Sequence, residues 1–589
     1  MTFRGGRTAV AVVAASLLGT GAWATAVGAQ AVQDTATAGN ATAPAATATE
    51  VTAPVRIAQV AQRPDAGTAP QTPPNAAATA VTAPVQVAQV AQRPENGAGP
   101  ESPPAEVPIE KQPPPKMSPQ ASPTQIEVGS FGPDPNYSDL KYNVADQLAI
   151  YGGKHAVIAP RPLLELGPDL YAAGPIGDGI NLFGNKDRLF PQFEIFGDWR
   201  TAYGYSNNGN KKENSEIATR INLDVDLKLT ATERIHAFFQ PLQQNGAFTR
   251  TEFGGAGHAQ SQFLHNGNVK DLFFEGDIGA ITAGITDNYQ SFDMPVAAGF
   301  VPLLFQNGVW MNDAVIGGAV TVPSRNVKQL DITNMDITFF GAGDKVTTKA
   351  LVNKDGSFAD DAGRLFGVAS FIETLSGYIE ADYGYVQDTR PGPTNFSYNN
   401  ASLAFTKRYF DTISNSVRVV WNFGQNPGQN APKTADGAIL LLENSLITDN
   451  EQLFVPYLNG WIGGSHPQSL ARDAAQGGIL LNTGINFETD NLVNFPKLDD
   501  TGEHTFGGAL GVEYLFDLHQ QIVFELATVQ VIGGPDKVGR PAKGDEYGVG
   551  VRYQLPLNDR WILRADAMAA HRDDDDPLLG VRFEIRRKF

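Results

Sequence analysis

The stretch Thr219-Arg220-Ile221-Asn222-Leu223-Asp224-Val225-Asp226-Leu227-Lys228-Leu229 carries an apolar residue at every odd position from Ile221 and a polar or charged one at every even position. A β-strand sends successive side chains to opposite faces, so this spacing sorts them into one oily and one wet face. A helix would scatter both sets around its circumference. The same period extends outward in both directions. Ile195, Trp199, Thr201, Tyr203 and Tyr205 alternate with Glu194, Asp198 and Arg200, and Ile235, Ala237 and Phe239 with Arg234, His236 and Gln240. Val417, Val419, Trp421 and Phe423 share one face, as do Phe506, Leu510, Val512 and Tyr514. Tyr547, Val549, Val551, Tyr553 and Leu555 alternate with Gly548, Gly550, Arg552 and Gln554.

A soluble sandwich also alternates, so the connections carry the argument. The period predicts strands at 192–205, 217–229, 233–242, 268–276, 279–287, 331–340, 346–352, 364–374, 377–387 and 397–408. It continues at 414–424, 437–447, 452–463, 504–515, 521–531, 546–555, 560–570 and 578–589. That makes eighteen, or sixteen without the faint segments 346–352 and 437–447. Short links such as Thr230-Ala231-Thr232 and Leu557-Asn558-Asp559 alternate with longer polar ones, the asymmetry of a barrel with tight turns on one rim and loops on the other. An open meander of this length would leave exposed edges, which closure removes. The expected fold is all-β: a transmembrane up-and-down antiparallel barrel over 191–589. Tyr and Trp near strand ends fit the aromatic girdles of a membrane interface.

Composition excludes other classes. With 42% hydrophobic and 18% charged residues the chain resembles a globular protein, and no long apolar helix is expected beyond the N-terminus. There is no cysteine, which removes disulfides, thiolate metal sites, a lipid-modified Cys and covalent haem. A net charge of −19 without a basic stripe argues against a nucleic-acid partner.

The first 190 residues differ from the rest. Arg4 and Arg7, the apolar run Thr8–Leu18 and the small-residue sites Ala24-Thr25-Ala26 and Ala29-Gln30-Ala31 read as a cleaved signal peptide over 1–31. Residues 32–130 are rich in Ala, Thr and Pro and read as a disordered periplasmic tether. Within them Val51–Pro64 returns as Val81–Pro94, two copies being too few for a solenoid. The repeats are candidate contacts to cell-wall polymer. Residues 131–190 form a linker with a short helix expected over Ser138–Ile150. The N-terminal region has too few core-forming residues for a plug domain.

The chain ends Val581-Arg582-Phe583-Glu584-Ile585-Arg586-Arg587-Lys588-Phe589, with Val581, Phe583, Ile585 and Phe589 on one face. This resembles the closing strand of bacterial outer-membrane β-barrels, in which a terminal aromatic forms part of the signal to the barrel assembly machinery. Phe583, Ile585 and Phe589 take that role here. Arg587 departs from the apolar residue common two places before the end, in a position to snorkel to the headgroups. The resemblance covers about 192–589 and points to porins of sixteen to eighteen strands, substrate-selective ones included. It implies an outer-membrane location among outer-membrane lipids, passive passage of small hydrophilic solutes or ions, and a homotrimer.

Two groups of residues are candidates for that passage. Glu194, Asp198, Arg200, Arg220, Asp224, Asp226, Arg234, Arg564 and Asp566 fall on the wet face as pore-lining candidates. They form either opposed rings of charge that impose a field on solutes or pairs that satisfy one another. In porins one long loop folds inward. The segment 288–330 is the candidate here, with Asp293, Phe300, Phe305, Trp310 and Asp313 offering stacking surface and charge at a constriction. The run Asp573–Asp576 lacks the spacing of a calcium loop and reads as a solvated outer loop. No HExxH or GxSxG motif accompanies the eight histidines, so no enzyme, metal or cofactor is expected. The other reading is a structural or adhesin-type barrel that links the outer membrane to the wall through its tether.

Overall fold

The computed structural model describes residues 162–589 apart from 168–178, 183, 210–212, 245–246, 254–258, 268, 354–356, 429–430, 449–452, 489–491, 517–519 and 535–539. The expected signal peptide, tether, repeats and helix over 138–150 lie outside the described residues.

Eighteen wall strands, all antiparallel to their neighbours, form one closed ring among the described residues. The first are β1 (Gln192–Asn208), β2 (Glu213–Lys228), β3 (Arg234–Phe239), β4 (Val269–Asp277), β5 (Pro295–Phe305) and β6 (Met311–Val327). Next come β7 (Ile332–Asp344), β8 (Gly363–Thr374), β9 (Gly377–Asp388), β10 (Tyr398–Tyr409), β11 (Ile413–Phe423) and β12 (Ala438–Leu446). The last are β13 (Phe454–Gly464), β14 (Thr505–Tyr514), β15 (Gln521–Val531), β16 (Glu546–Pro556), β17 (Trp561–Arg572) and β18 (Leu578–Lys588). Closure is the pairing of β18 with β1, in register from Asp198↔Lys588 to Asn208↔Leu578. Below the end of β18 the short strand Leu164–Leu166 pairs with Phe193–Ile195 along the same edge of β1. The backbone of Phe589 exchanges both of its hydrogen bonds with Gly197, at 2.8 and 3.0 Å, and Arg587 lies 5.6 Å over the Trp561 ring.

The period-two reading survives as a partition of media. In β2 the even residues Glu216, Ala218, Arg220 and Asn222 point inward and are buried, while Ile217 is exposed on the outside. Large apolar residues crowd the outer surface around the ring, among them Tyr203, Phe339, Phe366, Leu403, Trp421, Leu510 and Phe583. An apolar belt that size is stable only against hydrocarbon.

Two of the expected strands are corrected. Residues 279–287 are not a strand: Ile278–Thr286 is helix α1, started by Asp277, whose carboxylate accepts from Ala280 N at 2.9 Å and Met294 N at 2.6 Å. An apolar run of that length reads equally as helix or strand, and the cap decides. Residues 346–352 form no strand beyond an isolated bridge, Val352↔Phe358. In their place the segment 288–330, expected as an inward loop, supplies β5 and β6. Its alternation is masked because both faces of these strands are apolar, and a strand buried on both sides reads as a continuous oily run.

Candidate functional site

The segment that enters the barrel is 465–504, which joins β13 to β14. The first wall strand begins and the last ends at one rim, together with the short links 229–233, 375–376, 410–412 and 557–560; this connection starts at the other. Its residues Leu470, Leu480, Phe487 and Leu498 are fully buried, and they pack on inward-facing wall residues such as Val301, Val315, Leu365, Val420 and Ile439. A dry core therefore lies inside the barrel, lined by β4 to β15 and reaching Met568 and Ala570 of β17 and Leu578 of β18. Trp310 at the β5–β6 turn lies in it, tilted against Phe305, edge-on to Phe340 and donating to Asn400 Oδ1 at 2.8 Å.

The docking is hydrogen-bonded as well as apolar. Residues 471–472 pair in parallel with 311–312 at the start of β6. Leu470 N donates to Trp310 O at 2.7 Å and Asp473 N to Asn312 O at 3.0 Å, while Tyr398 OH donates to Leu470 O at 2.6 Å. Farther on, Glu525 of β15 receives Ile485 N and Asn486 N, both at 2.8 Å, Asn486 Nδ2 at 2.7 Å, and the hydroxyl of Tyr457. Because buried peptide groups need partners, these bonds hold a segment without long secondary structure across the lumen. The far end packs Leu492 and Val493 against Ala202, Ala218 and Phe248, and Asn494 donates to Glu216 at 2.9 Å.

Glycines on the inner wall act as sockets for this segment. A Cβ at Gly204 would stand 2.7 Å from Val493 Cβ, one at Gly550 2.7 Å from Asn486 Oδ1, and one at Gly384 or Gly580 would collide with Leu470 or Pro496. Burial shapes the acids and bases of the segment too. Asp499 is pushed up to about 8 by burial and by the nearby Glu546, Asp500 and Glu503 carboxylates. Burial alone would raise Asp500, but Lys497, 2.5 Å away, and Lys349 outweigh it and hold its carboxyl low.

The nine pore-lining candidates lie on two neighbouring sectors, β1–β3 and β17. Most are held by ion pairs or hydrogen bonds. Asp198 takes Arg200 at 2.5 Å and Arg586 at 2.8 Å, and Asn222 donates to it at 2.8 Å. Asp226 pairs with Arg234 at 3.2 Å, beside His236, which stacks on Phe273 and stands 3.0 Å from Glu275. Asp566 binds Arg564 at 2.9 Å, Arg552 at 2.7 Å and Arg582 at 2.8 Å. Glu194 accepts from Gln192 at 2.5 Å, Arg220 lies 5.5 Å over the Phe248 ring, and Asp224 sits opposite Phe196 in the β1–β2 register.

Of the five constriction candidates only Phe305 and Trp310 meet, their ring centroids 5.9 Å apart. Asp293 is exposed in the connection after α1, at the rim opposite to the start of 465–504. Phe300 lies on the outer surface beside Ile316 and Leu272. Phe305 and Trp310 are in the dry core, and Asp313 is buried under the 345–362 connection, where it accepts from Thr347 N at 2.7 Å. Glu488, Arg552, Arg582 and Glu525 are not among the sequence candidates, yet they join the inward segment and the wall to one another. The inner-face glycines Gly548 and Gly550 were the available signal that something fills the space opposite them.

An all-antiparallel ring with an oily belt, a charged inner sector and a segment folded into its lumen defines a transmembrane β-barrel with a narrowed interior. Among solved structures it is similar to Pseudomonas aeruginosa OccK7 (OpdD), at 9% identity and TM-score 0.42 over 67% of this chain and 99% of that one. It is also similar to a BenF-like porin from Pseudomonas fluorescens Pf-5, at 9% identity and TM-score 0.42 over 67% and 98%. A third similar structure is P. aeruginosa OccK2 (OpdF) in complex with glucuronate, at 8% identity and TM-score 0.41 over 67% and 96%. No family model matches the chain, and no curated relative matches it.

Proposed function

We propose that the protein is a porin-like passive channel for small hydrophilic solutes or ions across a bacterial outer membrane, with 465–504 as its constriction. The observation that carries this reading is the asymmetric interior. The dry core around Trp310, Leu470 and Phe487 reaches β17 and β18 on the side where 465–504 starts, while toward the other rim β16, β17, β18, β1 and β2 carry charged side chains on their inner face. A charged wall beside an apolar filler leaves the polar sector as the route water and solutes can follow. The tight turns then face the periplasm, the leader over 1–31 directs export, and the tether over 32–130 leaves from the periplasmic rim. Docking of Phe589 at the seam supports its use as an assembly signal. A homotrimer completes the proposal.

The test is single-channel conductance of the purified protein in a planar bilayer. Stable ion-conducting steps are expected, larger in a variant that releases 465–504 from the wall. A barrel that inserts, resists heat as a folded species and never conducts would overturn the reading.

A further inference from the structure

The inward segment meets the wall mainly through peptide groups and apolar side chains, but at Glu488 it lays a carboxylate between two guanidinium groups. One oxygen of Glu488 lies 3.2 Å from Arg564 Nη2, and the other is bonded to Arg552 Nη1. Both arginines also hold Asp566, which takes Arg582 as well. Glu584 stands opposite Arg564 in the β17–β18 register. Three guanidinium groups therefore face three carboxylates, and one of the three acids is delivered by the segment rather than by the wall.

Exposure separates this cluster into two layers. Arg582 and Asp566 are sealed at 1% and 4%, whereas Glu488, Arg552 and Arg564 retain 13–14%. The outer layer is the more exposed one, and Asp566 joins it to the inner layer. With Asp566 offsetting Arg582 and Glu584 opposite Arg564, Glu488 is the acid that balances the remaining guanidinium, and charge facing a narrow low-dielectric passage is weakly screened.

We propose that Glu488 sets the charge selectivity of the channel. Lying on Arg552 and Arg564, it cancels a positive field that the wall alone would present to solutes. The proposal rests on the channel reading above and goes beyond it by naming the residue that decides which ions the polar sector favours.

The chain has no cysteine, so Glu488→Cys introduces a unique thiol whose charge is changed after folding. Reversal potentials are measured under a salt gradient on the same inserted channel before and after a thiosulfonate reagent carrying sulfonate or trimethylammonium. The unmodified Cys channel should favour anions severalfold more than the parent, the sulfonate adduct should return toward the parent value, and the trimethylammonium adduct should move farther to anions. In parallel, Arg564→Gln should shift toward cations. The shifts should shrink as salt rises and the Debye length falls from ~10 Å at 0.1 M to ~3 Å at 1 M. Channels that conduct and react with both reagents but keep the parent reversal potential overturn the proposal and leave the channel reading intact. So do shifts of the same sign for both adducts, which mark displacement of the segment rather than its charge. A parent barrel that never conducts removes both.

Discussion

Asp198 on the first wall strand and Arg586 on the last are held 2.8 Å apart, an ion pair across the seam where the ring closes. Asp198 is almost fully buried and also takes Arg200 and Asn222. Removing it takes away the acid that two guanidinium groups inside the wall share, and breaking a buried pair from one side costs ~3–5 kcal/mol. Asp198→Asn should therefore lower unfolding stability by about that amount in urea titrations of the lipid-inserted barrel. Arg586→Gln should cost less, since Arg200 still covers the carboxylate. Equal and negligible effects would show that the seam is held by its backbone ladder alone.

Glu525 organises the turn at 484–487 by accepting from two peptide amides, the Asn486 amide group and Tyr457. Hydrogen bonds to a charged acceptor contribute ~1.5–3 kcal/mol each. Glu525→Ala should release the turn without opening the wall, whose ladder in β15 runs through the backbone. The expected result is a larger single-channel conductance with unchanged heat resistance of the folded barrel. Unchanged conductance would mean the turn does not narrow the passage.

Gly204 faces the lumen in the middle of β1, where Val is intrinsically a better strand residue than Gly. Yet a side chain there would occupy the place of Val493. Gly204→Val should leave the strand content by circular dichroism unchanged and make the chain near 493 cleavable by a protease added on the side where 465–504 starts. Continued resistance would place Val493 away from the wall.

Asp499 binds its proton more tightly in the docked segment than in water, with its pKa pushed up to about 8 by burial and by Glu546, Asp500 and Glu503. Thr501 donates to it at 2.9 Å, and Lys497 is committed to Asp500. The docked state thus holds more protons than the released one between the ordinary carboxylate range and about pH 8, so docking weakens as pH rises through that window and levels off above it. Hydrogen exchange of the 497–501 amides should accelerate from pH 5 to 8 beyond its intrinsic rate. Asp499→Asn should flatten that excess; an excess of the same size in the variant would assign it elsewhere.

Much of the wall is legible in the sequence. The period in 219–229 marks β2, the span 521–531 matches β15 at both ends, and the terminal pattern Val581, Phe583, Ile585 marks the closing strand. Alternation arises where one face of a strand meets hydrocarbon and the other meets charge and water. It fails where the lumen itself is oily. That is the case for β5 and β6, whose inner residues Val301, Leu303, Met311 and Val315 lie in the dry core. Their sequence lost its period and read as a loop, while the apolar helix α1 read as a strand.

The sequence by itself determined the class: a chain whose polar and apolar residues can be reconciled with their surroundings only on a closed ring of strands. Only the tertiary structure decided which segment enters the ring. The span 465–504 has no period because its contacts come from β1, β6, β15 and β16, far apart in the chain. It decided, too, how the charges are spent. Ion pairs such as Asp198–Arg586 and Glu488–Arg564 join residues whose proximity follows from closure and docking, which no local spacing encodes.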